Sequence, residues 1–248
     1  MKNSVKISHQ DSEPLCILAC QGKHGVAKEK FEYWGPTDCW FNFLLFGGDK
    51  ECPYGCLGYG SCVRVCPSGA IEMKEKIPVI DPKKCNGCGN CVKECPKGIL
   101  KLLPNSQFVF FACSLLLNDK EENITLCDKA CTGCGICIES CPYGAIRIAD
   151  NLIQIDIERC NSCGICVHKC PQGVFIDRVK ARPYAIISSK CTGCGECIKV
   201  CQFGAIEGTP NKRHIVQKNR CIGCGRCFEV CPDEAITMAG ALGYAEAA

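Results

Sequence analysis

Five times along this chain, four cysteines recur at the spacing C-x2-C-x2-C-x3-C. The quartets are Cys85, Cys88, Cys91, Cys95; Cys131, Cys134, Cys137, Cys141; Cys160, Cys163, Cys166, Cys170; Cys191, Cys194, Cys197, Cys201; and Cys221, Cys224, Cys227, Cys231. An expanded version, C-x3-C-x5-C-x3-C, is formed by Cys52, Cys56, Cys62 and Cys66. Three thiolates within seven residues wrap one corner of a cube, which suits a [4Fe-4S] cluster. A zinc site prefers two CxxC hairpins far apart that meet at one tetrahedral ion, and a third cysteine three residues on serves it poorly. The implied chemistry is therefore iron–sulfur redox chemistry.

The elements that must hold such groups are short. Glycine follows the second cysteine in all five regular quartets, at Gly89, Gly135, Gly164, Gly195 and Gly225. Without a Cβ, the backbone can approach a cluster and present amides to its sulfurs, although glycine serves a plain turn equally well. Proline follows the fourth cysteine everywhere except at Gln202 and fixes the exit turn. Between ligands there is room only for one-turn helices, such as Val92–Glu94 and Ile138–Ser140. The gaps of 18 residues from Cys66 to Cys85 and from Cys141 to Cys160, and of 19 from Cys201 to Cys221, each read as a hairpin. Examples are 145–148 with 152–155 and 205–207 with 214–216. The 35 residues between Cys95 and Cys131 exceed one hairpin, so a module boundary falls there. The 20-residue gap from Cys170 to Cys191 could form a hairpin, but pairing the quartets in order makes it a linker.

In this type of ferredoxin the fourth cysteine of a quartet ligates the other cluster of the pair. The expected sets are Cys52, Cys56, Cys62 with Cys95; Cys85, Cys88, Cys91 with Cys66; Cys131, Cys134, Cys137 with Cys170; Cys160, Cys163, Cys166 with Cys141; Cys191, Cys194, Cys197 with Cys231; and Cys221, Cys224, Cys227 with Cys201. The fold class expected is α+β: tandem bacterial-type 2[4Fe-4S] ferredoxin modules of short β-hairpins and one-turn helices, with a small N-terminal helical segment. The boundaries are a cap or docking segment over 1–50, modules over 51–105, 129–180 and 181–240, an inter-module segment over 106–128, and a tail over 241–248. The Ala-rich stretch from Ala239 reads as a poorly ordered extension.

Composition agrees. The chain has 29 cysteines in 248 residues, roughly 12% and far above ordinary usage. Such a count usually marks a short secreted disulfide scaffold, but the start, MKNSVKISHQDSEP, has no apolar export core, and an odd total cannot pair completely. The longest apolar run, Phe108 to Leu117, is about half of a membrane span. A content of 47% hydrophobic residues argues against disorder. A reduced, cytoplasmic protein without a direct membrane span is expected. Its formal charge of +3 falls to about −9 once six clusters of roughly −2 each are counted. With positive charge scattered besides, no nucleic-acid partner is expected. Lys84, Arg159, Lys190 and Arg220 precede four quartets, either to offset cluster charge or as solvated surface charge.

Five cysteines lie outside the quartets: Cys16, Cys20, Cys39, Cys113 and Cys127. The first two fall in a stretch that reads as flexible, and Cys39 opens an amphipathic helix expected over 37–46 and ended by Gly47-Gly48. A lone free cysteine is commonly a small buried hydrophobe. The alternative is a seventh [4Fe-4S] cluster on Cys20, Cys39, Cys113 and Cys127, with Cys16 spare. There is no catalytic constellation. Gly58 and Gly60 do not complete G-x-G-x-x-G because residue 63 is Val, and His9, His24, His168 and His214 are scattered. Flavin or nicotinamide chemistry would belong to partner subunits.

The stretch ECPYGCLGYGSCVRVCPSGAI (51–71), preceded by CQGKHGVAKEKFEYWGPTDCW (20–40) and FGGDKEC (46–52), resembles the B subunit of the Rnf complex, a ferredoxin:NAD oxidoreductase of anaerobes. Residues 104–137, PNSQFVFFACSLLLNDKEENITLCDKACTGCGIC, are similar to the linker between that family's first two cluster groups, where cysteines matching Cys20, Cys39, Cys113 and Cys127 occur. The resemblance covers residues 15 to 180; beyond that the chain is generic polyferredoxin. The family's membrane helix and first small cluster domain are not matched, so a relative without the anchor, built into a different complex, is expected. The resemblance implies an electron-transfer subunit relaying low-potential electrons between ferredoxin, or a reducing subunit, and a flavin- or NAD-bearing partner. Two other readings stay open: the iron–sulfur subunit of a formate dehydrogenase or hydrogenase, and a non-redox metal-binding interaction module.

Overall fold

The computed structural model describes residues 13–117, 126–179 and 182–238. The chain divides into two compact units. One holds the described residues up to Arg159 together with Cys166–Ile176; the other holds Cys160–Ile165 and the described residues from Asp177 onward.

In the first unit, β1 (Pro14–Leu18) pairs antiparallel with β4 (Leu100–Pro104), with Leu18 opposite Leu100 and Pro14 opposite Pro104. Between them lie α1 (Cys39–Leu44), α2 (Ser61–Arg64), the hairpin β2 (Ile71–Lys74)–β3 (Ile77–Ile80) and α3 (Asn90–Glu94). The stretch around Cys16 that reads as flexible in the sequence is thus an ordered strand: PLCIL is apolar and buried from Leu15 to Leu18. Its partner lies more than 80 residues away, which local pattern cannot reveal. The helix expected over 37–46 is shorter, because Leu45 leaves helical geometry at ψ 92°.

The same plan repeats. Strand β5 (Val109–Phe111) pairs with β8 (Phe175–Asp177), and the hairpin β6 (Ile146–Ala149)–β7 (Leu152–Ile155) lies between them in sequence. In the second unit β9 (Ile186–Ile187) pairs with β12 (Ile236–Thr237) around the hairpin β10 (Ile206–Glu207)–β11 (Ile215–Val216). The one-turn helices are α4 (Ile136–Ser140), α5 (Ile165–Lys169), α6 (Glu196–Val200) and α7 (Arg226–Val230). All three hairpins fall in the gaps expected for them. The strands bounding the 170–191 segment, β8 and β9, pair elsewhere, so that segment is not a hairpin. Two hairpins turn on non-glycine pairs at positive φ, Glu75-Lys76 (48° and 59°) and Asp150-Asn151 (52° and 57°). This is the turn whose twist matches the flanking strands.

Cysteine sulfurs take the place of a large apolar core. One core combines Cys16, Cys56, Cys62 and Cys91 with Leu18, Ile71, Ile99 and Leu100. A second joins Cys131, Cys137 and Cys166 to Val109, Ile146, Ile153, Val174 and Phe175. In the other unit Cys197, Cys227 and Cys231 pack with Ala185, Ile187, Ile206, Ala235, Ile236 and Met238. Among the described residues no helix is long and apolar enough to cross a membrane. The tail from Ala239 lies outside the described residues.

Candidate metal centres

Each regular quartet closes on a one-turn helix, and in four of them the N-cap is the glycine after the second cysteine. Gly89, Gly135, Gly195 and Gly225 cap α3, α4, α6 and α7 at φ between 78° and 82°. An L-residue is strained there. At Gly135 and Gly195 a Cβ would meet nothing within 4 Å, so the backbone stands beside open space. The helix carries the third cysteine inward: Cys91, Cys137, Cys197 and Cys227 are the buried members of α3, α4, α6 and α7. The fourth cysteine then accepts a hydrogen bond from the amide four residues on. Ala70 donates to Cys66 Sγ at 3.3 Å, Ala145 to Cys141 at 3.4 Å, Ala205 to Cys201 at 3.3 Å and Ala235 to Cys231 at 3.3 Å. Such donors stabilise thiolate and fix the sulfur's direction.

Sequence-distant thiols meet around cavities. One is lined by Cys131, Cys134, Cys137 and Cys170. Another is lined by Cys201, Cys221, Cys224 and Cys227. A third is lined by Cys39, Cys56, Cys62 and Cys95. Among the described residues no three His, Cys, Asp or Glu side chains converge closely enough to hold a single metal ion. Rings of four thiols around space, with amides aimed at sulfur, fit a cluster in which each sulfur bonds a different iron. Burial pushes Cys137 up to about 11, with Cys170 the leading thiol contributor, and Cys197 up to about 11, with Cys191, Cys194 and Cys231 adding to it. Grouped thiols that resist ionising alone are those a cation would have to neutralise.

The third cavity departs from the expected ligand set. Cys39, outside the quartets, lies with Cys56, Cys62 and Cys95, while Cys52 packs instead with Cys127 and Cys113. Asp38 caps α1 by accepting from the Trp40 and Phe41 amides, and Cys39 N–H donates to Ser61 Oγ at 2.9 Å, which ties α1 to α2. The spacing C-x3-C drew Cys52 into the quartet; only the fold reveals where its side chain goes.

For Cys85, Cys88, Cys91 with Cys66, the structure packs Cys66, Cys85 and Cys91 into one core. The set of Cys160, Cys163, Cys166 with Cys141 is divided between the two units and rests on spacing. Cys16 is 2% exposed, and its Sγ lies 3.4 Å from Cys91 Sγ. The bond to Cys91, reinforced by burial, pushes the Cys16 thiol up, while Cys16 as partner brings the Cys91 thiol down. Sequence reading missed one neighbour entirely: His214, also 2% exposed, places Nδ1 3.6 Å from Cys197 Sγ. Its only signal was a histidine opening a short strand. Lys84, Arg159, Lys190 and Arg220 are exposed, as is His168, which favours solvated charge for those four.

These repeated two-cluster folds are 4Fe-4S dicluster domains: a family model of that description matches residues 51–99 and 130–174, and a second of the same description matches 184–238. The chain is related, moreover, to B subunits of ion-translocating oxidoreductase complexes. It is 40% identical over 100 residues to the B subunit of the Na(+)-translocating ferredoxin:NAD(+) oxidoreductase complex of Acetobacterium woodii, covering 40% of this chain and 30% of that one. The proton-translocating counterpart of Clostridium ljungdahlii is 42% identical over 82 residues, 31% of this chain and 29% of that one. The B subunit of the ion-translocating oxidoreductase complex of Methanosarcina acetivorans is 39% identical over 66 residues, 26% of this chain and 25% of that one. The matches thus span less than a third of these relatives' lengths. A solved formate dehydrogenase–heterodisulfide reductase–formylmethanofuran dehydrogenase complex of Methanospirillum hungatei aligns over 71% of this chain and 73% of that one. The identity is 22% and the TM-score 0.30.

Proposed function

We propose that this chain is the electron-transfer subunit of a multi-subunit oxidoreductase, relaying low-potential electrons through six [4Fe-4S] clusters between ferredoxin, or a reducing subunit, and a flavin- or NAD-bearing partner. A bound [4Fe-4S] cluster supplies one-electron storage at a potential set by its surroundings. The observation that carries the reading is the threefold repetition of one plan: outer strands paired, a hairpin between them, and two cysteine-bearing turns. A free carrier needs one such module; three in series suit a conduit that spans distance inside an assembly.

The protein's own groups hold and bias the clusters. The quartet thiols ligate, with Cys39 the candidate beside Cys56, Cys62 and Cys95. The amides of Ala70, Ala145, Ala205 and Ala235 hold the fourth sulfurs. Cys16 and His214 touch ligand sulfurs from outside the ring. Membership of an assembly is supported by the relatives' names and by an apolar face around α1, where Trp34, Leu44 and Phe46 are 85%, 75% and 88% exposed. The test is anaerobic purification of the native protein with its companions. Flavin- or NAD-binding subunits in stoichiometric amount support the proposal. Companions carrying molybdenum, tungsten or nickel would reassign the chain to a different catalytic complex, and recovery of the chain alone would overturn subunit membership.

A further inference from the structure

We propose that Cys20, Cys52, Cys113 and Cys127 hold a seventh [4Fe-4S] cluster and that Cys39 takes Cys52's place as ligand beside Cys56, Cys62 and Cys95. This rests on the cluster-wire reading above and changes both its cluster count and its first ligand set.

Four separate stretches of chain bring these thiols together. Cys52 and Cys127, each 8% exposed, belong to one small core with Ala27, Leu115 and Ala130, and Cys113 packs against it. An isolated bridge between Ala27 and Cys127 holds the 126–130 segment to the chain that follows β1. Cys20 arrives from the other side. A Cβ built on Gly22 would stand 3.4 Å from Cys20 Sγ and 3.9 Å from Cys127 Sγ, so both sulfurs face the same bare stretch of backbone. The amides of Gly22 and Cys56 both donate to Cys20 Sγ, at 3.3 and 3.4 Å. Two donors on one sulfur suit a thiolate rather than a thiol. Burial, joined by the neighbouring thiols Cys20, Cys113 and Cys127, pushes Cys52 up to about 12.

A second observation comes from charge. Lys50 is 2% exposed, and its Nζ donates to the Gly22 carbonyl at 2.6 Å, with no carboxylate in ion-pair range among the described residues. A buried ammonium held by a neutral carbonyl alone is costly. Loading the site replaces four thiol protons by a cluster, leaving a net charge of roughly −2 beside that ammonium. Lys50 then has its counter-charge, and the buried thiolates have a cation. The Cys56 amide on Cys20 Sγ links this centre directly to a ligand of the neighbouring set. The seventh centre therefore extends the wire instead of standing apart from it.

The test is iron and acid-labile sulfide per chain after anaerobic reconstitution, read together with EPR. Wild type is expected at ~28 irons, four per cluster; ~24 would overturn the proposal. The Cys20→Ala/Cys113→Ala double variant should fall to ~24. Adding Cys52→Ala should change nothing more. Adding Cys39→Ala instead should lower the count again or produce the signal of a three-iron cluster in the oxidised protein. The reverse pattern would return Cys52 to the first set and Cys39 to the seventh. One zinc per chain in place of the extra irons would also overturn the assignment. Cys16→Ala should keep all the irons. Should the double variant fail to fold, the wild-type count still decides. Dithionite reduction of the remaining clusters tests the wire reading separately, because it does not depend on the count.

Discussion

His214 Nδ1 lies 3.6 Å from Cys197 Sγ, with both side chains buried in the last module. With Cys197 as a proposed cluster ligand and the proton on Nδ1, the ring would donate to that sulfur and stabilise the more negative, reduced state of the cluster. Gly208 is the companion to this placement, since a Cβ there would collide with the imidazole ring.

Replacing the ring tests that contact. His214→Phe should retain all the iron and shift one cluster to a more negative potential by about 40 mV, taking a net hydrogen bond as ~1 kcal/mol and ~59 mV per tenfold for a one-electron couple. Potentiometric EPR on the two proteins reads the difference. An unchanged set of potentials would remove His214 from any role in tuning.

Gly135 caps α4 at φ 81°, facing open space. Gly135→Val should cost about 1–2 kcal/mol in backbone strain and crowd the space beside Cys131, Cys134 and Cys137. The expected outcome is a protein short of ~4 irons with the other clusters intact. Full loading of the variant would show that the glycine serves the turn alone.

Asp38 accepts from two amides of α1 and is ion-paired to Arg64. Burial opposes its charge, but the Phe41 and Trp40 amides, Ser61 and Arg64 outweigh it, so its carboxyl lies below the usual range. Asp38→Ala should weaken the cap by about 1 kcal/mol. Because Cys39 begins that helix, the cluster next to Cys56, Cys62 and Cys95 should be the first lost to a chelator. The rate of loss of absorbance during chelation, compared with wild type, checks this.

The cores are built largely from cysteine sulfurs and a few aliphatic side chains, so the proposed clusters should supply much of the folding energy. Complete removal of iron and sulfide should abolish the far-UV and near-UV circular dichroism of the folded state, and reconstitution should restore both. An apo-chain that kept native dichroism would show that the polypeptide packing suffices.

Much of this was legible in the sequence because cluster ligation is local. Three of four ligands fall within seven residues, so quartets, capping glycines and the hairpins 71–80, 146–155 and 206–216 could all be read from spacing. Long-range placements could not be read. PLCIL at 14–18 and VFF at 109–111 look like any apolar stretch until paired with β4 and β8. Cys52 opens the first quartet and Cys39 lies outside it, and nothing local says which side chain turns toward Cys95. Packing of α1 on Ser61 decides it. His214 carried no motif at all.

Redox-active [4Fe-4S] clusters are the feature on which everything else depends. Anaerobically reconstituted protein should be brown, and dithionite should bleach its broad absorption near about 400 nm reversibly. Reduction should also bring up the EPR signals of several interacting reduced clusters. A colourless protein containing zinc, with no absorption for dithionite to bleach, would contradict it.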